Sequence, residues 1–146
     1  MLESTMEANI YFCIYGDDFP TDEFTKKMEV IPTKSRKQGE IFMKGTTKHV
    51  SYTTDWTYET GFQPTLNPLI QLHELVGKLI NKVDFINYFK KEFNLQSQIV
   101  IVVHYPENQS PGLNLDHKLI KFAYDTNSTY SLDTYCIGPS EDGELS

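Results

Sequence analysis

The segment Gln98-Ile-Val-Ile-Val-Val-His104 is apolar at five consecutive positions, from Ile99 to Val103. β-Branched residues favour strands, and successive residues of a strand point to opposite faces of its sheet. Both faces of this segment are therefore apolar, which is typical of a strand buried on both sides. The segment is predicted to be a strand in the centre of a sheet.

Further strands are predicted on both sides of this segment in the chain. The β-branched and aromatic run Ile10–Tyr15 indicates a first strand. Residues 50–58 alternate in polarity, so Tyr52, Trp56 and Tyr58 are expected to share one face of a single strand. The remaining strands are predicted at residues 41–43 and 130–137.

Helices are expected between these strands, where apolar residues recur at three- and four-residue steps. Asn67 as N-cap and Pro68 at the first helical position begin the longest helix. The other helices are predicted after Pro20 (with Phe24, Met28 and Ile31, ending at Pro32), from Asp84 to Phe93, and from Asp116. The order β-α-β-β-α-α-β-α-β predicts the α+β class, with a mixed β-sheet of about five strands and three or four helices packed over it.

The length of 146 residues and a hydrophobic share of 39% suit a single domain. This domain is predicted to span residues 10–137, because neither end of the chain has periodic apolar residues. Residues 1–9 are expected to be a flexible N-terminus, and residues 138–146 a flexible acidic tail. The two ends carry five acidic residues, so the net charge is −7 for the whole chain and −2 for residues 10–137.

The charge and hydropathy patterns also exclude several classes of protein. The near-neutral body has no basic stripe, so no nucleic-acid partner is expected. No apolar run approaches the roughly 20 residues that cross a membrane, and the first residues lack the features of a signal peptide. We therefore expect a cytoplasmic protein without membrane contact. Cys13 and Cys136 lie in strand-like runs, where free thiols pack as small apolar residues.

Several short motifs follow one another along the chain: Gly16-Asp17-Asp18-Phe19, Ile31-Pro32-Thr33, Trp56-Thr-Tyr58-Glu59-Thr60, Pro111-Gly112-Leu113 and Asp133-Thr134-Tyr135. Their order resembles that of a bacterial family, domain-of-unknown-function family 4279. Together they cover nearly the whole chain, from about Ile10 to Tyr135. One departure is Phe19, since the family has an acidic residue ahead of the helix-opening proline. The resemblance implies a stand-alone domain and no particular activity.

The sequence predicts neither a metal site nor a cofactor. Its four histidines are far apart, and it contains neither His-Glu-x-x-His nor Cys-x-x-Cys. The adjacent carboxylates of Asp17 and Asp18 are the one candidate for a metal or acid–base site. Two carboxylates after a strand can hold a divalent cation or act in acid–base work, or they can form a polar strand-to-helix turn. We favour the turn.

No catalytic residue is predicted either, and we expect that the protein is not an enzyme. The sequence has no Gly-x-Ser-x-Gly motif and no glycine-rich phosphate-binding loop. Cys13 and Cys136 have no histidine close in sequence to act as a base, although the fold could bring one near. Catalysis by an undetected hydrolase site ranks last among the hypotheses.

The residues proposed for a binding surface are Trp56, Tyr58, Asp17, Asp18 and Arg36. The aromatic stripe either packs in the core, which we favour, or forms a partly exposed platform with the basic turn as its rim. The function we expect is non-catalytic binding of a protein partner, for example the occlusion of a toxin by an immunity protein. The alternative is a sensor of a small molecule or ion, with a pocket near Asp17, Asp18 and Trp56.

Overall fold

The computed structural model describes residues 5–138 of the chain and has eight strands and four α-helices in this range. The strands are β1 (Met6–Gly16), β2 (Lys34–Arg36), β3 (Ile41–Lys44), β4 (Thr47–Val50), β5 (Thr54–Glu59), β6 (Gln63–Thr65), β7 (Gln96–Pro106) and β8 (Thr129–Ile137). The helices are α1 (Thr21–Met28), α2 (Pro68–Leu79), α3 (Val83–Phe93) and α4 (His117–Thr126), and a 3-10 turn (Ile80–Lys82) joins α2 to α3.

Strand β7 lies inside the main sheet, between β1 and β8. The strand order is β2-β5-β1-β7-β8, with β6 paired to the first part of β1 and β3–β4 forming a separate hairpin. β8 runs parallel to β7, whereas the other pairs are antiparallel, so the sheet is mixed. Ile99, Ile101 and Val103 are buried. The interior position predicted for residues 98–104 is therefore confirmed, but β1 rather than β7 is the middle strand of the order, and helices cover only one face of the sheet.

The four helices pack on one face of this sheet. Alternate residues of β1, including Ile10, Phe12 and Ile14, are fully buried beneath them. Phe12 meets Phe122 of α4 edge to face, with ring centroids 6.3 Å apart. The prediction of an α+β fold, with one mixed sheet and helices packed over it, is confirmed.

The chain between β3 and β5 differs from the prediction of one continuous strand at residues 50–58. β4 ends at Val50, and the chain bends before β5 begins at Thr54. Within the bend the Ser51 hydroxyl donates to the Thr53 carbonyl at 2.7 Å. Tyr52 is consequently 85% exposed and shares no strand face with the aromatic residues of β5.

The first helix is shorter than predicted. α1 ends at Met28, and Glu29 follows with a left-handed φ of 58° while its N–H bonds to the Thr25 carbonyl. This reversal ends the helix before Pro32 can do so. Ile31 therefore lies outside the helix, where it is 83% exposed.

The first strand is longer than predicted. β1 begins at Met6, so the segment 1–9 expected to be flexible contains strand residues. Met6 is only 5% exposed and pairs with Thr65 of β6. The sequence pattern obscured this because polar Glu7 and Asn9 alternate with the apolar residues of the strand. The predicted acidic tail lies outside the described residues except for Gly138.

Met6→Ala is expected to lower the free energy of unfolding by about 2 kcal/mol, because it truncates a buried side chain at the end of a strand. Met43→Ala is the matched control, since Met43 is 58% exposed on β3 and its loss should cost under about 0.5 kcal/mol. Urea titration of both variants measures the difference. Equal stabilities would contradict the docking of residue 6.

The helices and the two cysteines bear on the predictions about membrane contact and free thiols. No helix in residues 5–138 is long and apolar enough to cross a membrane. Both cysteines are free thiols, but only Cys13 is partly buried. Cys136 is exposed, so the expectation that it packs as a small apolar residue is wrong.

Candidate binding face

The face of the sheet that points away from the four helices, here called the open face, carries polar and aromatic side chains. These residues alternate along each strand with the residues of the core, because successive side chains of a strand point to opposite faces. The open-face residues around its centre are Asn9, Tyr11, Cys13 and Tyr15 on β1, Lys34 and Arg36 on β2, Asp55, Thr57 and Glu59 on β5, and Gln98 on β7.

These side chains and Thr53 line a groove of about 410 Å³. Its walls come from strands that are adjacent in the sheet but distant in the sequence. Tyr15 of β1 pairs with Asp55 of β5, which in turn pairs with Arg36 of β2. The groove therefore crosses four strands, β2, β5, β1 and β7, and presents an aromatic ring, a carboxylate and a guanidinium side by side.

The charges of the groove are only partly neutralised by one another. Lys34 Nζ lies 3.4 Å from a carboxylate oxygen of Glu59. Arg36 stacks on the ring of Phe42, with its guanidinium carbon 3.7 Å from the ring centroid. Within residues 5–138, the half-buried carboxylate of Asp55 has no cationic group at ion-pair distance. Burial raises the pKa of Asp55, although the nearby charges of Arg36 and Lys34 act in the opposite direction.

Cys13 is the nucleophilic side chain in this groove, but its surroundings do not activate it. Burial raises the pKa of its thiol, and a hydrogen bond with Thr57 opposes this effect. The thiolate that nucleophilic chemistry requires is therefore disfavoured. His104 pairs with Glu7, six residues from Cys13 along β1, a separation of about 20 Å at the usual rise of a strand. This histidine cannot serve Cys13 as a base.

Cys136 also lacks the geometry of a catalytic dyad with His104. It follows Tyr135, the residue that pairs with His104 across β7 and β8. Neighbouring residues of a strand point to opposite faces, so the Cys136 thiol lies on the side away from the imidazole.

Trp56 is fully buried on the helix side of β5. Its indole Nε1–H donates to Thr25 Oγ1 of α1 at 2.9 Å, and its ring meets Phe24 edge to face at 4.9 Å. Tyr58 lies on the same side, partly buried against the core. The platform proposed from these two residues is therefore corrected: they belong to the core side of the sheet, as the favoured interpretation had it.

Asp17 and Asp18 are exposed in the turn that follows β1. The carbonyl of Asp17 accepts from the Thr54 N–H at 3.2 Å, and Asp18 lies 3.5 Å from Lys37 Nζ. Within residues 5–138 no three His, Cys, Asp or Glu side chains are grouped closely enough to hold a metal ion. A pocket shared by these carboxylates and Trp56 is not formed, since the indole is buried.

Arg36 is the one predicted surface residue that lies on the open face. The sequence reasoning missed Asp55 and Tyr15, which lie beside Arg36, and Tyr11, which lies farther along the same groove. A signal was present in the run Ile10–Tyr15, where each second residue carries a polar atom. That alternation indicates one wet face, but it does not reveal which strand supplies the neighbouring side chains.

A second groove, of about 460 Å³, lies between α1 and α3. Its apolar floor includes Phe85 and Phe89, and its rim carries Glu23, Lys27 and Asp84. Lys27 Nζ already lies over the Phe85 ring, 5.6 Å from its centroid. This groove is an alternative candidate for a binding surface, but its charged groups and aromatic rings already contact one another.

Comparison with known proteins places the sequence in one family and finds no characterised relative. The model of the family described as "Domain of unknown function (DUF4279)" matches residues 6–137. This range begins where β1 begins and ends where β8 ends. No curated protein and no solved structure matches the chain.

Proposed function

The chain belongs to the DUF4279 family, and from the geometry of its open face we propose that it is a non-catalytic protein that binds another protein through this face. The family description assigns no activity, so the proposal rests on the chemistry of the groove. Tyrosine and arginine are enriched among the residues that dominate the energy of protein interfaces. Tyr11, Tyr15 and Arg36 occupy one continuous surface here.

The observation that carries the proposal is the carboxylate of Asp55. It is half-buried in the groove, its pKa is raised by that burial, and no cation within residues 5–138 forms an ion pair with it. Burying an unpaired charge is costly, and a partner that supplies a cation would relieve this cost. A lysine or arginine of the partner, placed between Tyr15 and Asp55, is the group that fits.

Occlusion of a toxin is one specific form of such binding. A wide, solvent-exposed sheet face can cover a partner's active site without performing chemistry itself. In this form the partner would insert a basic residue into the groove. This version of the proposal rests on an analogy with immunity proteins rather than on a contact of this chain.

Asp55→Lys is expected to abolish the binding of the partner, because it places a second cation opposite the one that the partner supplies. The protein is immobilised on a resin and incubated with native cell extract. The captured proteins are then quantified by mass spectrometry. Asp84→Lys is the matched control, with the same change of charge on the rim of the groove between α1 and α3.

We expect one protein that the wild type and Asp84→Lys capture equally and that Asp55→Lys captures at least tenfold less. With the purified pair, a tenfold weaker affinity corresponds to about 1.4 kcal/mol of binding free energy. Capture that survives Asp55→Lys but is lost with Asp84→Lys would refute the assignment of the open face.

Sensing of a small molecule is the second candidate, because the groove volume of about 410 Å³ falls within the usual range of ligand sites. The ligand would be an amine, since the carboxylate of Asp55 forms no ion pair within residues 5–138. A rise in melting temperature with an amine, absent in Asp55→Asn, together with no captured protein, would favour this function over protein binding.

A further inference from the structure

Strand β8 is a long edge of the main sheet. It comes last in the order β2-β5-β1-β7-β8, so within residues 5–138 only its β7 side is paired. Its nine residues extend over about 30 Å at the usual rise of a strand. The backbone N–H and C=O groups on the outer side of such an edge are ready to pair with another strand.

The two edges of the sheet differ in how they are protected. β2, at the opposite edge, has three residues, of which Lys34 and Arg36 are charged. Short length and positive charge are common means of preventing edge pairing. β8 contains no lysine, arginine or proline, and its only charged residue is Asp133. It pairs with β7 at nine consecutive positions without a bulge, so its outer side is also regular.

Apolar side chains remain exposed along this edge. Leu132 is 49% exposed on the helix side of β8. On α4, which is tied to β8 by a 2.7 Å hydrogen bond from Tyr130 Oη to the Leu119 carbonyl, Ile120 and Tyr124 are also exposed. A partner that fits this edge therefore has two layers, a strand to extend the sheet and an apolar surface to meet the helix.

We propose that the partner is a second copy of this chain, joined through antiparallel pairing of the two β8 strands. A two-fold axis normal to the sheet makes the joined strands antiparallel and keeps both sets of helices on the same side. Each copy thus offers the strand and the helix layer that the other lacks. The two open faces would then form one continuous surface, an outcome that does not depend on the proposed function.

Like-charge repulsion and apolar contact decide which residues of the two β8 strands face each other. Directly opposed residues of antiparallel strands share a face, so the axis must pass midway between the two copies of one residue. Leu132, Asp133 and Thr134 lie near the middle of β8 and are the candidates. An axis at Asp133 would oppose two like charges, which is destabilising. An axis at Thr134 would place Leu132 opposite Cys136, so the two leucines would not meet. An axis at Leu132 opposes two leucines beneath the helices and places Asp133 opposite the hydroxyl of Ser131. We assign this register.

Sedimentation equilibrium of the full chain over a concentration series tests the proposal. The wild type is expected to reach twice the mass of the chain. Leu132→Lys opposes two cations on the axis and is expected to weaken the dimer at least tenfold. Ile41→Lys, at a residue that is 60% exposed on the separate hairpin, should leave it unchanged. A monomer at every concentration, or a dimer that Leu132→Lys does not weaken, would overturn the proposal.

A cross-link tests the same contact without relying on a loss of association. In a Cys136→Ser background, Leu132→Cys is expected to form a disulfide-linked dimer under mild oxidation. Ser35→Cys, on the protected edge strand β2, is the control and should remain monomeric. Equal cross-linking of the two variants would show random collision and overturn the assigned pairing.

Discussion

Ile101→Asp is expected to leave the protein unfolded or insoluble. Ile101 is fully buried in β7, where it pairs with Ile10 of β1 on one side and Leu132 of β8 on the other. An unpaired charge at such a site costs several kcal/mol, which is comparable to the whole stability of a domain of this size. The soluble yield and the far-ultraviolet circular dichroism spectrum measure the outcome.

Gln98→Asp is the matched control for this variant. Gln98 lies three residues earlier on the same strand but points to the open face, between Cys13 and Thr129. The new carboxylate remains in contact with water there, so we expect a folded protein that loses under about 1 kcal/mol. If both variants fold normally, β7 is not an interior strand of the sheet.

Trp56→Ala is expected to lower the free energy of unfolding by about 3–5 kcal/mol, as large aromatic truncations in a core do. The change removes a fully buried ring and leaves Thr25 without its indole donor. Tyr52→Ala is the control, because Tyr52 is 85% exposed, and it should cost under about 0.5 kcal/mol. Denaturant titration compares the two variants.

The fluorescence of Trp56 offers an independent check, because it is the only tryptophan in the chain. Blue-shifted emission that resists quenching by iodide is expected from a buried indole. Red-shifted emission that iodide quenches readily would show that Trp56 is exposed. Trp56→Ala would then lower the free energy of unfolding by under about 1 kcal/mol.

Much of the fold could be predicted because its signals are local. Asn67 begins α2 with its side-chain oxygen accepting the Leu69 N–H at 3.0 Å, and Asp116 caps α4 through the Leu119 N–H at the same distance. An apolar run such as residues 99–103 is equally local. Each of these features depends on residues within a few positions of one another.

Features that depend on distant residues could not be predicted in this way. Alternation across residues 50–58 indicated one strand, but the pairing of β3 with β4 separates that hairpin from the main sheet and bends the chain before β5. α4 ends at its C-cap residue Asn127, whose φ of 51° is left-handed, and Lys90 of α3 binds this end, since its Nζ donates to the carbonyls of Thr126 and Asn127 at 2.6 and 2.9 Å. Nothing near Lys90 in the sequence indicates this contact.

The candidate site could not be predicted for the same reason, because it also depends on residues that are distant in the sequence. Tyr15, Asp55 and Arg36 meet because β5 lies between β1 and β2, and that strand order is a property of the whole sheet. Sequence reasoning could recognise Tyr and Arg as suitable interface residues. The sequence pattern indicated Trp56 and Tyr58 in addition to Arg36, because tryptophan is a strong interface signal when the face of its strand is unknown.

The central claim is that the partner covers the open face, and hydroxyl-radical footprinting of the free and bound protein tests it most directly. Tyr15 lines the open face, whereas Tyr88 is 60% exposed at the groove between α1 and α3. We predict that partner binding protects Tyr15 from oxidation and leaves Tyr88 as reactive as in the free protein. Protection of Tyr88 with no change at Tyr15 would contradict the account.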